Sequence, residues 1–197
     1  MLLPNQLTVL RMILTPVFVY FFLVQGSHFK EIALVIFLVA ALTDWYDGWL
    51  ARKFNYITNW GKFWDPMADK ILTAGAFLSF VYLGELSIWL VIVILIRDFL
   101  VTTFRGIADS KGISFPTSKY AKWKTFIQMG FLYYMLIFYV ARQHLDWGTQ
   151  YKYIFDYALN RTAIDVTLWV IAILTVHSGG LYIYENKHHL KKIFGRA

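Results

Sequence analysis

The sequence predicts an all-α integral membrane protein: one domain over residues 1–197, six transmembrane helices, both termini cytoplasmic, and a short surface helix at the N-terminus. Three observations lead there. Of the 197 residues, 58% are hydrophobic and 19% aromatic, and the mean hydropathy is +0.51, too apolar for an ordinary soluble domain of this length. The apolar residues gather into six runs, most of them near the roughly 20 residues that a helix needs to cross a bilayer. Lys and Arg then crowd the connections on one side of that arrangement.

The first run, 12–24, is short unless it extends back through "PNQLTVL", where Asn5 is placed to cap a helix beginning on the membrane surface. It contains Pro16, and no small-residue cleavage site follows it, so it reads as a retained helix. The second run, 32–50, ends in "LTDWYDGWLARKF". The third, 63–83, begins at "FWDPMADK", where Asp65-Pro66 reads as a helix start because proline is tolerated in a first turn. The fourth, 88–104, carries Arg97 late in its length, the fifth, 123–140, begins inside "KWKT", and the sixth, 164–184, runs into a basic tail. Trp45, Trp60, Trp64, Trp89, Trp123 and Trp147 lie near the run ends, as interfacial belts require.

Arg52, Lys53 and Lys62, then Arg105, Lys111, Lys119, Lys122 and Lys124, then Lys187, Lys191, Lys192 and Arg196 place twelve of the nineteen basic residues on one side. Only Lys30, Arg142, Lys152 and Arg161 fall in the opposite connections. The positive-inside rule makes the first side cytoplasmic. The same distribution explains the formal charge of +7 without nucleic acid, since no single basic face forms. The absence of cysteine excludes disulfides, thiolate zinc sites and cysteine nucleophiles. The five histidines are scattered, without a pair suited to a metal.

Against this background "LTDWYDGWLARKFNYITNWGKFWDPMADK" stands out, with Asp44, Asp47, Asp65 and Asp69 beside or inside apolar sequence. A carboxylate at mid-membrane costs roughly 2.5 to 3.5 kcal/mol, so four unpaired ones cost on the order of 10 kcal/mol. Asp44 and Asp47 are spaced i, i+3 and Asp65 and Asp69 i, i+4, so each pair shares a helix face. The short polar link between the two helices makes them antiparallel neighbours, which brings both pairs together near the cytoplasmic end. Oxygen-only ligands favour a hard divalent cation, Mg²⁺ or Mn²⁺, over zinc. Gly48, Ala51 and Gly61 leave room for a compact planar group, and Arg52 offers a fork for a phosphate oxygen.

Written out, the segment is D-x2-D-G-x2-A-R-x8-G-x3-D-x3-D. It resembles the signature of the CDP-alcohol phosphotransferase family at every fixed position. The resemblance implies a six-helix membrane enzyme that moves a phosphatidyl or similar group from a CDP-linked donor to an alcohol and releases CMP. It also implies two divalent metals, Mg²⁺ or Mn²⁺, on Asp44, Asp47, Asp65 and Asp69, with Asp69 as general base. Gly48, Ala51, Arg52 and Gly61 would receive the CDP moiety, and the enzyme would form a homodimer. Asn5, Thr8 and Arg11 share a helix face, are similar to the family's amino-terminal pattern and would edge the donor site. "LPNQLTVLRMILTPVF", "IRDFLVTTFR" and "KWKTFIQM" resemble the members that use glycerol 3-phosphate, although Asp98 stands where those commonly carry Glu and Ala121 where they commonly carry Gly.

That narrower resemblance implies CDP-diacylglycerol as donor, glycerol 3-phosphate as acceptor and an active site on the cytoplasmic side of the cell membrane, among its lipids. Arg97, Arg105, Lys122 and Lys124 would form the pocket for the acceptor's phosphate, which must be held while the free hydroxyl attacks. A family member using serine or inositol phosphate is the nearest alternative. An ion transporter is a more distant one, because transporters spread acids along a pathway and show repeated halves.

Overall fold

The computed structural model describes residues 3–54, 59–110 and 119–187, and every regular element among them is helical. Six long helices, α1 (Leu3–Leu23), α2 (Ser27–Phe54), α3 (Asn59–Tyr82), α4 (Ile88–Ser110), α5 (Lys119–Gln143) and α8 (Arg161–Glu185), cover the six apolar runs. Two short ones, α6 (Leu145–Gln150) and α7 (Lys152–Ala158), join α5 to α8. Among the described residues, three segments are long and apolar enough to cross a membrane: Gln6–Leu23, Lys119–Gln143 and Lys152–Glu185. Helices α3 and α4 are as long but carry more charge, with Asp65, Asp69 and Lys70 on one and Arg97, Asp98 and Arg105 on the other.

Two helix boundaries differ from expectation. The short surface helix is not a separate element, because α1 runs unbroken from Leu3 through Pro16 to Leu23. Beside the proline, the Thr15 hydroxyl donates to the Arg11 carbonyl at 2.9 Å. Helix α3 starts at Asn59, so Pro66 lies inside it and removes one backbone hydrogen bond beside Asp65. The link 55–58 lies outside the described residues.

Glycines turn the chain where a left-handed backbone is needed. Gly26 (φ 123°) joins α1 to α2 and Gly84 (φ 76°) ends α3. At Gly84 the Glu85 N–H donates to the Phe80 carbonyl at 2.9 Å and the Gly84 N–H to Val81 at 3.0 Å, the pair of bonds of a Schellman stop. Arg161 donates from Nη1 to the Gly84 carbonyl at 2.6 Å, tying the start of α8 to that turn. Asn160 caps α8, its side chain accepting from the N–H groups of Thr162 and Ala163. Buried Lys30 donates to the Val24 carbonyl just past the end of α1.

Helix α1 packs mainly on α2 and α3, α4 on α3 and α8, and α5 on α8 and α2. Gly75 permits the α1–α3 approach: a Cβ there would stand 3.1 Å from both Thr15 and Val19. Phe22, Phe80 and Tyr139, from the C-terminal halves of α1, α3 and α5, meet with ring centroids 5.2 to 5.7 Å apart. Such pairs contribute about 0.5–1.5 kcal/mol each beyond their area burial. This aromatic core fills one end of the bundle. The outward faces stay apolar, with Ile13, Val35, Leu78, Ile96, Ile137 and Ile173 all exposed, as a lipid environment requires. Asp65, Asp69, Lys70, Arg97, Asp98 and Arg105 lie toward the other end.

Candidate active site

At that other end α3, α4, α5 and α8 enclose a cavity of about 470 Å³, within the range of small-ligand pockets. Asp69 and Lys70 of α3, Arg97 and Arg105 of α4 and Lys122 of α5 stand on its walls, with Tyr182 of α8. Residues some 50 places apart in sequence thus face one volume, and the acid expected to be the general base looks onto three of the four cations expected to hold a phosphate. Close packing of α3 on α4 shapes the wall, since a Cβ on Gly106 would lie 2.7 Å from the Phe63 ring.

Asp65 and Asp69 lie one turn apart on α3. Asp65 is the more enclosed: the Thr8 hydroxyl donates to its Oδ1, and fully buried Arg11 is near enough to attract it electrostatically. The amino-terminal helix therefore braces this carboxylate. Asp69 is more open, its side chain 35% exposed with Oδ2 3.6 Å from Lys70 Nζ. A hard divalent cation suits these donors: two carboxylates on adjacent turns, one oriented by a hydroxyl that leaves its other oxygen to a metal. No group of three metal-binding side chains forms among the described residues. Asp44, Asp47, Gly48, Ala51 and Arg52 occupy the last turns of α2, where their side chains lie outside the described residues, as does that of Asn5 in α1. Gly61 is buried in the first turn of α3.

Lys124 does not share the pocket wall with Lys122. It lies beneath, 1% exposed, with Nζ 2.5 Å from Asp98 Oδ1. The same oxygen is 3.1 Å from Arg97 Nη1, and Gln128 Nε2 donates to Asp98 Oδ2 at 3.1 Å. Two residues along a helix is a rotation of about 200°, so Lys122 and Lys124 take opposite faces of α5. The sequence reading gave no role to Asp98 or Gln128. The signal available was the i, i+4 spacing of Lys124 and Gln128 on one apolar-flanked face.

Comparison with known proteins gives the family. The family model for CDP-alcohol phosphatidyltransferase matches residues 1–176. A CDP-diacylglycerol--glycerol-3-phosphate 3-phosphatidyltransferase of Rickettsia typhi is 32% identical over 180 residues, 91% of this chain and 94% of that protein. One of Bacillus subtilis is 32% identical over 201 residues, 96% of this chain and 97% of that protein. A probable phosphatidylglycerophosphate synthase of Mycobacterium tuberculosis is 39% identical over 129 residues, 64% of this chain and 61% of that protein.

Proposed function

The chain belongs to the CDP-alcohol phosphatidyltransferase family, and we propose that it transfers the phosphatidyl group of CDP-diacylglycerol to glycerol 3-phosphate, giving phosphatidylglycerol phosphate and CMP. One observation carries the choice of acceptor: Asp69 shares a cavity with Arg97, Arg105 and Lys122. These three cations, with Lys70 on the same wall, match the dianionic phosphate of the acceptor, and an uncharged alcohol has no need of them. The names of relatives that match over nearly the whole chain agree.

In this reading Arg97, Arg105 and Lys122 hold the acceptor phosphate and leave its free hydroxyl beside Asp69. Asp69 takes the hydroxyl proton as the oxygen attacks the phosphorus that bears diacylglycerol. A new P–O bond forms to glycerol 3-phosphate, the P–O bond to CMP breaks, and CMP leaves with the electron pair. Arg52 steadies the departing phosphate, and Gly48, Ala51 and Gly61 make room for the cytidine diphosphate. Asp44, Asp47, Asp65 and Asp69 would hold two divalent ions, Mg²⁺ or Mn²⁺, whose charge offsets that of the diphosphate when bound. Thr8 and Arg11 fix Asp65, and with Asn5 they edge the donor site.

The same proposal places all six long helices across the cell membrane as one domain, with both termini and the reaction cavity on the cytoplasmic side. The one-sided Lys and Arg distribution and the exposed apolar faces support it. Donor acyl chains then stay in lipid during the reaction. A homodimer rests on the family resemblance. The test is CMP release by the purified protein from CDP-diacylglycerol with glycerol 3-phosphate, serine, inositol phosphate or glycerol. Dependence on glycerol 3-phosphate supports the assignment, and equal rates with an uncharged alcohol overturn it.

A further inference from the structure

A carboxylate on the wall of a phosphate pocket is at first sight misplaced, since a like charge beside the ligand weakens binding. Asp98 is such a carboxylate, and it is 4% exposed. Its charge is cancelled from below by Lys124, which is itself buried. What remains is its directional effect on Arg97.

The Arg97 guanidinium is planar, with one edge formed by Nε and Nη2 and the third nitrogen, Nη1, apart from it. Asp98 Oδ1 takes Nη1 at 3.1 Å. Nε and Nη2 are buried and have no hydrogen-bond partner among the described residues. Buried donors of a charged group are rarely left in that state, so this edge awaits an acceptor. Two parallel N–H groups fit two oxygens of one phosphate. Helix α8 passes close beside this edge and only glycine fits there without pressing on it: a Cβ on Gly179 would lie 3.1 Å from Arg97 Cγ and 3.5 Å from Nε.

We propose that Asp98 is the positioning residue for Arg97, with Gly179 as its clearance, and that together they set the preference for a phosphorylated acceptor. The proposal deepens the functional reading above and rests on it. Asp98 itself transfers no proton, because Lys124 and Arg97 occupy Oδ1 and Gln128 occupies Oδ2. Three helices converge on one side chain: α5 neutralises and orients Asp98, Asp98 of α4 turns its neighbour, and α8 leaves the space.

Three variants test this in purified enzyme by CMP release, with the melting temperature measured alongside. Asp98→Asn strands the Lys124 charge and is expected to fold poorly. The double variant Asp98→Asn/Lys124→Met removes both charges and is expected to recover the wild-type melting temperature. Gly179→Ala leaves the ion pair intact and adds only a methyl group in front of Arg97. For the double variant and for Gly179→Ala, the expected result is a rise of about tenfold or more in KM for glycerol 3-phosphate, the loss of one charged hydrogen bond. KM for CDP-diacylglycerol and kcat should stay within about twofold. The ratio of kcat/KM for glycerol 3-phosphate to that for glycerol should fall by the same tenfold or so in both.

A buried pair that served stability alone would give a double variant with wild-type melting temperature and wild-type KM, and that result overturns the proposal. So does a loss of kcat shared equally by donor and every acceptor. Wild-type enzyme that releases CMP with glycerol as readily as with glycerol 3-phosphate overturns the functional reading itself, and this inference with it.

Discussion

Replacing Arg97 by Ala removes the Nε and Nη2 donors that have no partner among the described residues, and with them the two charged hydrogen bonds that the proposal gives to the acceptor phosphate. Each such bond contributes about 1.5–3 kcal/mol. Arg105 and Lys122 remain on the cavity wall and offset part of the loss, so the lower end applies, about 3 kcal/mol for the pair. At 1.4 kcal/mol per factor of ten, KM for glycerol 3-phosphate should rise roughly a hundredfold. The fold should survive, because Asp98 keeps Lys124 and Gln128 as partners. The assay is CMP release with glycerol 3-phosphate titrated at saturating CDP-diacylglycerol, and serine and glycerol as parallel acceptors. An unchanged KM refutes the reasoning, and so does a fall in kcat of equal size for every alcohol.

Other perturbations follow from neighbouring contacts. Thr8→Val deletes the hydroxyl that donates to Asp65, so the Mg²⁺ concentration for half-maximal rate should rise about tenfold or more, read from metal titrations after chelation. Chelation alone should abolish CMP release, and Mg²⁺ or Mn²⁺ should restore it while the melting temperature identifies any loss of fold. Gly106→Ala places a methyl group 2.7 Å from the Phe63 ring, which should lower stability by about 1–3 kcal/mol and reduce affinity for the acceptor. By contrast, Arg142→Gln breaks an exposed pair with Asp156 at 3.3 Å. It should change stability by less than about 1 kcal/mol.

Hydropathy was enough to find the six long helices, since an apolar run of near-spanning length has few other uses. It gave no sign of α6 and α7. Those segments are short, and the N-cap residue of α7, Tyr151, makes no side-chain capping bond. Packing of Phe155 against Phe138, 6.5 Å between ring centroids, secures α7 instead, and that contact spans seventeen residues of unremarkable sequence. Pro66 misled because proline is equally at home in a first turn and, at a cost, in an interior one.

In the site, the acid pair of α3 was legible from an i, i+4 spacing, and the gathering of Asp69 with Arg97, Arg105 and Lys122 from charge within or at the edges of apolar runs. Lys124 could have been separated from Lys122 by helix geometry alone, since two positions span opposite faces. Its pairing with Asp98 could not, because the partner lies 26 residues away on another helix. The clearance at Gly179 was equally hidden, a glycine of α8 opposite an arginine of α4.

The central claim is that the acids of α3 and the cations of α4 and α5 perform one reaction on a phosphorylated acceptor. Its most direct test is metal-dependent CMP release from CDP-diacylglycerol and glycerol 3-phosphate by wild-type and Asp69→Asn enzyme, with the lipid product identified by mass. The account predicts phosphatidylglycerol phosphate from the wild type and a rate lower by at least about a hundredfold in the variant. An Asp69→Asn enzyme that makes the same product at the wild-type rate would contradict it.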